Sequence, residues 1–102
     1  MKLMILKNNE SLCIDKNKET FEDILKKYQE ESMELKEALQ SGDDLQIAEE
    51  TLDVIQICIG ILDKLNSKEI NVGQLVKRHN KKLVMRNWKE KGVIQIRWRM
   101  NA

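Results

Sequence analysis

Residues 19–65, ETFEDILKKYQEESMELKEALQSGDDLQIAEETLDVIQICIGILDKL, decide the fold, because one apolar periodicity runs into a turn and a second runs out of it. Before the turn, Phe21, Ile24, Leu25, Tyr28, Leu35 and Leu39 recur at spacings of three and four, the stripe of an amphipathic helix. The stripe stops at Ser41-Gly42, where glycine can take the left-handed position that closes a helix. Asp43 or Asp44 then offers an N-cap for a second helix. A connection this short makes the two helices an antiparallel hairpin. The pattern predicts helices over about 19–41 and 44–66, and a third over about 72–89.

Outward from the turn, the second helix changes character. Its first half carries one apolar stripe (Ala48, Leu52, Ile55), but from Val54 to Leu62 apolar residues point in almost every direction, with Ile57 about 180° from Ala48 at 100° per residue. Such a helix must be covered on all sides. One hairpin and one further helix cannot wrap it, so a second copy of the chain is expected to, with Gly60 allowing close approach of a neighbouring backbone. After Gly92 the period changes to two, Ile94, Ile96, Trp98 and Met100 alternating with Gln95, Arg97 and Arg99. That alternation predicts a short strand over about 93–100, paired with Leu3 to Leu6 or with its counterpart in another subunit. The expected architecture is all-α: a helical hairpin plus a third helix in one domain (1–102), assembled as an oligomeric helical bundle, with a short C-terminal β-strand.

The composition fits that picture. At 41% hydrophobic, 34% charged and without proline, the chain of 102 residues is too apolar for disorder and too regular for a disulfide scaffold. Cys13 and Cys58 lie too far apart in sequence for a zinc or disulfide pattern. The longest apolar run, Ile57 to Leu62, is far short of the ~18 residues of a membrane span. A cytoplasmic protein with no membrane partner is the expectation, and a formal net charge of +1 makes nucleic acid unlikely on bulk charge alone.

The charge is unevenly placed. Residues 19–53 hold twelve acids and three lysines. With Gly42 as the centre of the turn, Glu34 lies eight residues before it and Glu50 eight after, while Glu31 and Asp53 lie eleven before and eleven after. At 1.5 Å per residue the first pair is level about 12 Å from the turn and the second about 16 Å from it. Four carboxylates can therefore meet in one patch, where they repel until their pKa values rise or a cation neutralises them. An all-oxygen acidic set suits Mg²⁺ or Mn²⁺, and Mg²⁺ often shares its site with substrate phosphates. From Lys77 to Arg99 nine basic residues face one acid, Glu90. Lys82 and Arg86 stand at i,i+4 and could hold a polyphosphate, with Asn80 as a hydrogen-bonding group and Trp88 as a stacking one.

Glu30-Glu31-Ser32-Met33-Glu34-Leu35 and Glu49-Glu50-Thr51-Leu52-Asp53-Val54, with fifteen residues of chain and hairpin turn between Glu34 and Glu50, together resemble the E-x-x-E plus E-x-x-D signature of the MazG-like nucleotide pyrophosphohydrolases, in the all-α NTP pyrophosphatase superfamily. The likeness runs over about residues 20–90. It implies a helical core assembled as a dimer or tetramer, and Mg²⁺-dependent cleavage of a nucleoside triphosphate between the α and β phosphates to give the monophosphate and pyrophosphate. It implies Glu31, Glu34, Glu50 and Asp53 as metal ligands and Lys82 and Arg86 as the K-x-x-x-R element that contacts phosphates; Glu30 or Glu34 is then the general base. The competing expectation is a non-catalytic helical oligomer that binds nucleic acid through its basic C-terminal region, which requires the acidic half to be segregated from that surface.

Overall fold

The computed structural model describes residues 1–101 and contains three helices and one small antiparallel sheet. In chain order these are β1 (Asn8–Asn9), β2 (Ile14–Asp15), α1 (Phe21–Ser41), α2 (Asp44–Ser67) and α3 (Val72–Met85). They fall into two compact units, Met1–Ile70 and Asn71–Ala102. Among the described residues no helix is long and apolar enough to cross a membrane.

The first unit is built on the expected hairpin. Thr20 caps α1 with a reciprocal box: its Oγ1 accepts from the Asp23 amide at 3.1 Å, and its own amide donates to Asp23 Oδ2 at 2.9 Å. These hydrogen bonds, the backbone one first, hold the Asp23 carboxyl below its ordinary pKa. At the other end Gly42 takes φ 74°, its amide bonds the Ala38 carbonyl at 3.1 Å, and Asp43, rather than Asp44, caps α2 by accepting from the Gln46 amide at 3.1 Å. The turn is three residues of matched chemistry, and α1 packs on α2 from there. Ahead of α1 the chain makes a hairpin of two two-residue strands with Asn8 opposite Asp15, turning through a left-handed Cys13. This hairpin was not expected, since nothing in residues 8–15 alternates. Gln56 Nε2 donating to the Met4 carbonyl and Lys64 Nζ donating to the Glu19 carbonyl fasten residues 1–20 to α2.

Few side chains are sealed from solvent. Ile24 and Ala38 are the buried apolar residues of the first unit and Val72 of the second, while no residue of α2 is buried. Leu25, Tyr28, Leu39, Leu52 and Ile55 remain exposed, as do both cysteines, which are free thiols. A Cβ built on Gly60 would meet nothing within 4 Å.

The second unit differs from expectation in two ways. α3 ends at Met85, not near residue 89, because Asn87 turns left-handed at φ 69° and the Asn87 and Trp88 amides reach back to the Val84 and Leu83 carbonyls. That is a Schellman closure with asparagine in the place usually held by glycine. Residues 93–100 form no strand: they lack a ladder partner in the chain, Leu3 to Leu6 included, and a strand without a partner has nothing to accept its hydrogen bonds.

Candidate metal centre

Glu31 and Glu34 rise from α1 and Glu50 and Asp53 from α2, and the tight turn at Gly42 sets them level as the residue count requires. One carboxylate oxygen each from Glu31, Glu50 and Asp53 lies within 4.8 Å of the other two. Oxygens bound to one Mg²⁺ at ~2.1 Å stand about 3 Å apart when adjacent and about 4.2 Å when opposite, so small side-chain adjustments bring this trio to ligand spacing.

The electrostatics fit a cation. Oε2 of Glu31 and Oε2 of Glu50 are enclosed and have no hydrogen-bond partner within the chain. Loss of solvent raises the Glu31 carboxyl above its ordinary pKa, helped by the adjacent Glu34 and then by Asp53 and Glu50. The Glu50 carboxyl is raised for the same first reason, with Glu34, Asp53 and Glu49 adding repulsion. Glu34 therefore belongs to the cluster although it stands outside the three closest oxygens. Neighbouring hydroxyls offer no relief, for Ser32 Oγ donates to the Gln29 carbonyl at 3.2 Å and Thr51 Oγ1 to the Ile47 carbonyl at 2.6 Å. Glu30 is exposed and is not among the grouped carboxylates.

In the second unit, Lys82 and Arg86 are exposed and line one side of α3 together with Arg78 and His79. Asn80 does not join them, standing about 160° from Lys82 around the helix at 100° per residue. Two features were not read from the sequence. The enclosure of two specific carboxylate oxygens has no sequence signal. An open apolar groove of about 260 Å³, lined by Phe21, Ile24, Leu25, Tyr28 and Ile61, had one, since its α1 residues are the stripe read as core. Tyr28 stands three residues, about 4.5 Å of helix rise, before Glu31. Comparison with protein-family models, curated proteins and solved structures gives no match to any of the three.

Proposed function

We propose that the chain is a Mg²⁺-dependent nucleoside triphosphate pyrophosphohydrolase, and the observation that carries this reading is the pair of enclosed, unpartnered carboxylate oxygens of Glu31 and Glu50 beside Asp53 and Glu34. In this reading Glu31, Glu50 and Asp53 hold Mg²⁺ or Mn²⁺, which supplies the positive charge that polarises phosphoryl oxygens and lowers the pKa of a nearby water. Glu34, close to the trio but not one of its nearest oxygens, takes the proton of the attacking water, and the exposed Glu30 is the poorer candidate. The water oxygen bonds to the α-phosphorus as the bond to the bridging oxygen breaks, and pyrophosphate leaves. In the same reading Lys82 and Arg86 stabilise the charge on the leaving group, and Asn80, on another side of α3, is the hydrogen-bonding group for the sugar or base.

The same reading takes the chain as a dimer or tetramer. A hairpin with two buried apolar side chains and no buried residue on α2 leaves Leu25, Leu52 and Ile55 in water, and a second copy covering them accounts for the apolar girdle from Val54 to Leu62. The test of function is pyrophosphate release across common and modified ribo- and deoxyribonucleoside triphosphates, with Mg²⁺ and with EDTA. Release that stops with EDTA and falls at least ~100-fold in Glu50→Gln, with helix content intact, supports the assignment. Absence of release from every triphosphate, or full activity in Glu50→Gln, sinks it.

A further inference from the structure

The formal charge of +1 conceals two units of opposite sign. Met1–Ile70 holds nine lysines, no arginine and sixteen acids, a net −7; Asn71–Ala102 holds nine Lys and Arg against Glu90 alone, a net +8. Whole-chain charge therefore says nothing about what either unit attracts, and the segregation that a nucleic-acid surface requires is present.

On α3 the cations form a surface. At about 100° per residue Lys77, Lys81, Arg78, Lys82 and Arg86 fall within one arc of about 180°, which also holds the exposed Leu75 and Met85. All five are exposed, and among the described residues none has an acidic partner within salt-bridge distance. Lys77 to Arg86 spans about 13.5 Å of helix, long enough to follow more than one phosphate of a strand. At the end of this row stands Trp88, 67% exposed, its backbone held by the Schellman closure at Asn87. An aromatic ring at the end of a cationic track is the pairing used to hold unpaired bases and their backbone.

We propose that the unit Asn71–Ala102 binds single-stranded nucleic acid, with the α3 arc on the phosphates and Trp88 stacked on a base. An anionic lipid surface fits less well: an interfacial helix needs its exposed apolar residues gathered opposite its cations, whereas here Leu75 and Met85 lie among the cations and the opposite side holds the buried Val72 and half-buried Leu83 beside the exposed Val76. Duplex also fits less well, because its stacked bases are closed to Trp88. This activity does not need the metal centre: Lys82 and Arg86 are shared with the triphosphate reading, whereas Lys77, Arg78 and Lys81 are not among the groups assigned to the triphosphate.

The test is fluorescence anisotropy of the full chain with labelled oligo(dT), the matching duplex and phosphatidylserine vesicles between 50 and 200 mM NaCl. Oligo(dT) is expected to bind with a log–log salt slope of up to about −3.5, about −0.7 for each phosphate neutralised by one of the five cations. Lys77→Gln with Lys81→Gln should lower that slope by about 1.4, and Lys77→Arg with Lys81→Arg should restore it. Trp88→Ala should weaken binding roughly 5- to 150-fold. Glu50→Gln should bind oligo(dT) as the wild type does, which separates this proposal from the hydrolase reading, and circular dichroism of each variant reports folding. No binding at 50 mM salt, duplex bound as tightly with Trp88→Ala indifferent, or vesicle binding alone would each overturn it.

Discussion

The four carboxylates of the first unit come from two helices and converge, whereas the five cations of the second come from one helix and spread over half its circumference. Convergence depends on tertiary structure: it exists only while the Gly42 turn holds α1 against α2, and it forces like charges together against their repulsion. Spreading depends on helix formation alone. A cation at the carboxylates therefore stabilises the folded hairpin specifically, since the unfolded chain has no such cluster, while an anion on α3 needs only that one helix. Chelators are accordingly expected to lower the melting temperature through the hairpin, and polyphosphate to act through the second unit.

The largest way to break this comparison is to remove the cover from α2. If a second copy packs on the girdle, Ile57→Lys buries a charge without a partner, at a cost of about 3–5 kcal/mol, enough to dissociate or unfold a small domain. Light scattering and denaturant melts of wild type and variant decide it, and a well-folded wild-type monomer at micromolar concentration refutes the assembly. Next is Arg86→Ala. It should lose ~2–4 kcal/mol of transition-state stabilisation, roughly 30- to 1,000-fold in kcat/KM, with Mg²⁺ binding to the hairpin unchanged. If Lys82→Ala and Arg86→Ala both leave hydrolysis untouched, the phosphates are held by other groups.

A gentler probe is pH. Glu31 and Glu50 have folded-state pKa values raised above the 4.5 of the unfolded chain, so their contribution to stability is fully present below about pH 4.5 and is lost as pH rises through the folded values. Asp23 runs the other way: its lowered pKa gives stability that is lost only as pH falls below 3.8. In EDTA, then, the melting temperature should fall as pH is raised above 4.5, and saturating Mg²⁺ should flatten that fall. A metal-free melting temperature that rises with pH over this window would show that the four carboxylates are not crowded in solution.

How much of this was legible follows from where the signals sit. The hairpin was, because its apolar stripes are long and its turn is spelled Ser41-Gly42-Asp43, and the levels of Glu31, Glu34, Glu50 and Asp53 then follow from helix rise alone. The end of α3 was not, because Asn87 does in the fold what a glycine would have announced. Nor was the fate of residues 93–100, whose period of two states a preference for pairing without supplying a partner. The segregation of charge into two units was visible only as a local excess until the boundary at Ile70 fixed which residues to count together.

The smallest expected effect lies at the boundary between the two units. Three residues take left-handed backbone at helix ends, Gly42 at φ 74°, Glu69 at 65° and Asn87 at 69°, and only the first is glycine. After α2 the Glu69 amide reaches the Asn66 carbonyl and the Ile70 amide the Leu65 carbonyl, the same closure that ends α3. A residue with a Cβ costs about 1–2 kcal/mol in this conformation, and glycine returns about half of that through its greater freedom when unfolded. Glu69→Gly should therefore stabilise the first unit by ~0.5–1 kcal/mol in urea melts, Gly42→Ala should destabilise it by ~1 kcal/mol, and the two effects should add because the sites sit at opposite ends of α2. If Glu69→Gly instead destabilises, the Glu69 side chain is making a contact of its own, and its left-handed backbone is held by that contact rather than by the helix end.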